Sequence, residues 1–117
     1  MTTREFRAIA LRLPAASEAA HMGHPDFRVG GKVFTTLGFP GPGWAMVKLT
    51  PDEQQLFVRT QPGAFAPVKG AWGAAGSTAV RLAAAQAGAV REALLMAWRN
   101  RAPKHLAAAA EEAHDAR

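Results

Sequence analysis

No cysteine occurs in the sequence, which excludes disulfide bonds, thiolate metal sites and a cysteine nucleophile. Tyrosine is also missing, and the two serines, Ser17 and Ser77, have no nucleophile-elbow context. Long apolar runs are scarce. The longest stretch of low polarity, from Leu82 to Val90, is broken by Gln86 and Gly88 and falls far short of the roughly 20 residues a spanning helix needs. The first residues, Met1 to Arg7, carry Glu5 and no apolar run, so they do not read as a signal peptide. A soluble, cytoplasmic chain is expected.

Acidic residues are few as well. Fourteen Lys and Arg stand against nine Asp and Glu, for a formal charge of +5 and a pI near 10.8, which makes polyanions the first partner class to consider. At 117 residues, 49% of them apolar, the chain is long enough to form one core without a metal or disulfide.

Local signals place the elements. Thr2 and Glu5 have capping-box spacing, and Phe6, Ile9, Ala10 and Leu13 share one helical face, so a first helix is expected from about Arg4 to Leu13, ending at Pro14. Residues 15–26 read as loop plus a short extended piece. Gly30-Gly31 between Phe27-Arg28-Val29 and the run Lys32 to Leu37 predicts a hairpin with a two-residue turn. "FPGPG" (Phe39 to Gly43) is a loop, because neither proline can donate to a ladder. Trp44 to Leu49 is a third strand. Thr50-Pro51-Asp52-Glu53 combines an N-cap, a first-turn proline and a capping-box glutamate, starting a helix that runs to about Thr60. Phe65 to Val68 is extended, "GAWGAAG" (Gly70 to Gly76) is a turn, and Thr78 to Leu82 is the last strand. Ala84 to Arg101 is a helix buried along Val90, Leu94, Ala97 and Trp98. After Pro103, an Ala-rich tail to Arg117 is either a short extra helix or frayed. The pattern predicts an α+β two-layer sandwich over residues 1–117 as a single domain, an antiparallel sheet with helices on one face in the order α-β(3)-α-β(2)-α.

One motif recurs: a cation between apolar neighbours, as Phe27-Arg28-Val29, Val47-Lys48-Leu49 and Val80-Arg81-Leu82. On a strand the middle residue faces away from its neighbours. If the apolar pairs face the helices, Arg28, Lys48 and Arg81 emerge on the other face, joined by Lys32 if the Gly-Gly turn keeps the register. Antiparallel sheets commonly keep one wet face, so these are either ordinary solvated positions or a cationic platform for phosphates. The expected strand segments that carry them hold no acidic residue. Trp72, in a glycine-rich turn, either stacks on bases beside these cations or folds back to plug the sheet edge. Arg99, Arg101, Lys104 and His105 cluster at the end of the long helix, where its dipole favours cations.

Other chemistry is weakly signalled. His21, His24 and Asp26 offer two imidazoles and a carboxylate, but His21 and His24 lie three apart, and convergence would need a bend at Gly23. Glu5, Glu53 and Glu92 fall at cap or exposed helical positions and form no acid–base pair. Gly70-x-x-Gly73-x-x-Gly76 joins two strands rather than opening a helix and lacks the lysine of a phosphate-binding loop. Neither catalytic residues, a metal nor a cofactor is expected.

The stretches "GHPDFRVGGKVFTTL" (Gly23 to Leu37), "WAMVKLTPDEQ" (Trp44 to Gln54), "PGAFAPVKGAWG" (Pro62 to Gly73), "VRLA" (Val80 to Ala83) and "AWRNRAPKHL" (Ala97 to Leu106) resemble the MmcQ/YjbR family of small bacterial proteins. Residues Ala15 to Met22 depart from the aromatic-rich segment usual there. The resemblance implies the fold order given above and a DNA-binding label, which maps here to Arg28, Lys32, Lys48, Lys69, Trp72 and Arg81. The expectation is therefore a non-enzymatic module that contacts DNA or RNA through phosphates, with little sequence reading. The alternative is a protein-interaction or self-association module using the open sheet face.

Overall fold

The computed structural model describes residues 1–108. Its elements run α1 (Thr3–Arg12), β1 (Ser17–His21), β2 (His24–Val29), β3 (Lys32–Leu37), β4 (Trp44–Lys48), α2 (Pro51–Thr60), β5 (Phe65–Pro67), α3 (Ala71–Ala74), β6 (Ser77–Arg81) and α4 (Ala87–Arg101). Residues 104–108 are also helical, and the rest of the expected tail lies outside the described residues. All strand pairs are antiparallel, in the order β1-β2-β3-β4-β6-β5. This is the expected α+β sandwich, with one strand and one short helix more than the sequence pattern indicated.

Both expected capping boxes form. Thr2 and Thr50 each accept a hydrogen bond from the backbone N–H three residues on, while Glu5 and Glu53 accept from the cap N–H in return. The helices bury Phe6, Ala10, Phe57, Val90, Leu94 and Trp98 against Phe27, Val29, Phe34, Val47, Phe65 and Val80 in one cluster, so α1, α2 and α4 cover a single face of the sheet. Between β2 and β3 the register shifts at Phe27/Arg28. The extra residue this creates, Phe34, joins the core cluster beside the equally buried Thr35, a break in alternation that a β-bulge permits.

Residues 15–26, expected as loop plus a short extended piece, instead form β1 and the start of β2, paired from Ser17↔Arg28 to His21↔His24. Met22 and Gly23 form the tight turn, both at positive φ. All of β1 is solvent-exposed, so the strand exists through its ladder with β2 rather than through burial.

Candidate functional site

The helix-free face of the sheet is organised by cross-strand pairing, since directly opposed residues share a face. One row runs Ala19, Asp26, Thr36, Met46, Ala79 and Ala66. Its central members, Asp26, Thr36, Met46 and Ala79, are buried although no helix covers them. Longer side chains flank the row on this face: His21, His24, Trp44 and Arg81 toward one end of the strands, Arg28 and Lys48 toward the other.

The three repeated cations all reach this face, as expected, but none stands alone. Arg81 lies over the Trp44 ring, 4.8 Å from its centroid, and Lys48 Nζ lies 4.4 Å from the centroid of Trp72. Both distances are within reach of a cation–π attraction. Arg28 donates from Nε to Asp26 Oδ1 at 2.8 Å and from Nη2 to Oδ2 at 3.1 Å. Asp26 is thus the acidic residue that the expected strand boundaries left out, because β2 begins at His24 rather than Phe27. A bidentate pair of this kind occupies the guanidinium fork, so Arg28 is committed to a carboxylate rather than free for a phosphate.

Lys32 is not on this face. A two-residue turn at Gly30-Gly31 makes Val29↔Lys32 the closing pair, which puts Lys32 on the side of the core residue Val29, opposite Arg28. The expectation that the turn would keep Lys32 with Arg28 miscounted the register by one, and in a strand one residue exchanges the faces.

Trp72 is 63% exposed, so it does not plug the sheet edge. The local fold explains how a tryptophan is held outward. Gly70 to Gly76, expected as a plain turn, forms the single helical turn α3. A Cβ on Gly73 would stand 1.5 Å from the Val68 carbonyl oxygen, and one on Gly76 would stand 2.0 Å from that of Leu49. Only glycine permits these approaches. Gln54, buried on α2, donates from Nε2 to the carbonyls of Gly73 and Ser77 at 2.9 and 3.0 Å. The turn is therefore fixed from α2 and from the residues that directly follow β4 and β5, with Trp72 over Lys48 and Lys69 exposed three residues before it. Burial lowers the Lys48 pKa, and the charge of Arg101 lowers it further.

At the far edge, Asp26 is fully buried and His21 Nδ1 lies 2.6 Å from its Oδ2. The Arg28 hydrogen bonds hold the Asp26 carboxyl below its ordinary value of 3.8, against the opposing effect of burial, and His21 adds to the lowering. With Asp26 ionised, the His21 Nδ1–H donates to it. Cross-strand pairing at the Met22-Gly23 turn puts His21 and His24 on one face, their rings 6.4 Å apart and edge to face. Among the described residues, no three His, Cys, Asp or Glu side chains converge as a metal site would require.

The fold has a solved counterpart. A Deinococcus radiodurans protein with a DUF419 domain superposes with a TM-score of 0.69 over 85% of this chain and 77% of that one, at 18% identity, a likeness of fold alone. No curated protein matches the sequence. The family model described as YjbR matches residues 11–100, a span that takes in every strand, α2, α3 and nearly all of α4, and the chain belongs to the YjbR family.

Proposed function

We propose that this chain is a non-enzymatic, cytoplasmic nucleic-acid-binding module that meets backbone phosphates on the helix-free sheet face. The observation that carries the reading is the pairing of cation and indole at two places on that face, Lys48 with Trp72 and Arg81 with Trp44. Such pairs join the two groups that non-specific nucleic-acid binding uses, cations for the backbone and ring faces for bases. Lys69 and Arg101 extend the cationic corner. Arg28 and Lys32 contribute little, the first because Asp26 holds it and the second because it lies on the other face.

The test is fluorescence anisotropy of labelled DNA and RNA across a range of salt. With three or four cations neutralising phosphates, log affinity should fall with log salt at a slope of about −2 to −4. Lys48→Glu with Arg81→Glu should abolish binding. Lys48→Met keeps the apolar stem while removing a charge that burial and Arg101 disfavour, so it should leave Tm unchanged or raised while weakening binding. No binding at low salt would overturn the proposal. A concentration-dependent oligomer insensitive to the charge reversals would instead assign the face to protein contacts.

A further inference from the structure

We infer that the corner built by Trp72, Lys48 and Arg101 takes an unpaired base, so that single strands rather than duplexes are the preferred ligand. The inference rests on the nucleic-acid reading above and specifies the form of that ligand. Lys48 Nζ sits against the Trp72 ring, while the side chain as a whole remains 63% exposed. A planar group can therefore lie on indole surface that the lysine does not cover. In a duplex each base is already stacked between neighbours and its face is unavailable. In a single strand it is free, and any base can stack because each has a π face.

Two further features favour this occupant over a flat apolar partner. First, cations gather beside the ring. The charge of Arg101 acts on Lys48, Asn100 beside it donates to the Lys48 carbonyl at 3.1 Å, and Lys69 lies exposed in the segment leading into α3. An anionic backbone running past the stacked base would relieve the repulsion between Lys48 and Arg101. Second, the turn that carries the ring is held in place before any ligand arrives. The close approaches at Gly73 and Gly76 and the two Gln54 hydrogen bonds fix its turn, so little ordering remains to oppose binding. Along β4, Trp44 stands four residues from Lys48, about 13 Å at the usual strand rise. Arg81 beside Trp44 is thus placed to follow the same strand onward from the stacked base.

The test compares a labelled oligothymidylate of about a dozen nucleotides, within the span that small single-strand sites cover, with a duplex of the same length at matched salt. Wild type, Trp72→Ala, Trp72→Phe and Lys48→Glu are each titrated. Wild type should bind the single strand more tightly. Trp72→Ala should weaken single-strand binding about 5- to 150-fold, the range of one lost base stack, with little effect on the duplex, and Trp72→Phe should restore most of it. If wild type binds both forms equally, or if Trp72→Ala weakens both alike, the inference fails. The sheet-face proposal then still stands, provided binding remains salt-dependent and is lost in Lys48→Glu. If neither ligand binds wild type at low salt, both fail.

Discussion

At the scale of single residues, the sheet face is governed by who pairs with whom. Asp26 has no exposed surface, yet its partners Arg28 and His21 keep it ionised. Because its native pKa is depressed, its contribution to stability is complete above the ordinary value of 3.8 and is lost as pH falls below that through the native value. Chemical denaturation of wild type should therefore show stability falling below about pH 4, and Asp26→Asn should remove part of that dependence. At neutral pH, Asp26→Ala should cost about 1–3 kcal/mol, the range for removing one partner from a buried hydrogen-bonded group. The faces of Arg28, Lys48 and Arg81 were legible in the sequence, because alternation sets them. Their engagements with Asp26, Trp72 and Trp44 were not, since those depend on strand limits and cross-strand register that no local pattern encodes.

Among elements, the signals that proved readable were those whose physics is local. Both capping boxes, the Pro51 helix start and the Gly30-Gly31 turn act within four residues. β1 was not readable, because Ser17-Glu18-Ala19-Ala20-His21 has neither apolar alternation nor β-branched residues, and the strand is held by its ladder with β2 and by the side-chain contacts of Glu18 with Arg7 and His21 with Asp26. Likewise α3 is dictated by what surrounds it. Gly73 is needed for the Val68 carbonyl oxygen pressed against it, and Gly76 both for that of Leu49 and for its own φ of +117°. Gly73→Ala or Gly76→Ala must push backbone aside, and each should destabilise the fold by at least about 1–3 kcal/mol, as overpacking does. Thermal melts would measure this, and an unchanged Tm in both would refute the contact. Gly70→Ala has open space, but φ +82° with ψ −158° is a conformation that essentially only glycine adopts, so it too should destabilise the fold, by about 1–3 kcal/mol.

For the molecule as a whole, the layered architecture was legible because apolar periodicity assigns one face of every helix and strand to a common core. The helix-free face was only half legible. Its cations could be counted, but the buried row beneath them, from Asp26 through Met46 to Ala79, is closed over by side chains that meet only in three dimensions. The six-stranded sheet also ends unequally. β5 is three residues long and finishes at Pro67, which removes a donor and blunts that edge. β1 carries no proline and offers an open ladder at the other.

The contact between Gly76 and the Leu49 carbonyl links the Trp72 turn to the junction where β4 passes into α2, and Gln54 links it again one helical turn later. Anything that occupies the indole thereby also damps the opening of that junction. The effect should appear in amide hydrogen exchange, as slower exchange on ligand binding at Gln54 and at Ala74 to Gly76, whose N–H groups bond within these turns. The β1–β2 hairpin, tied to neither, should keep its exchange rates, so the chain would report an occupied corner through the backbone amides of the turn and of α2.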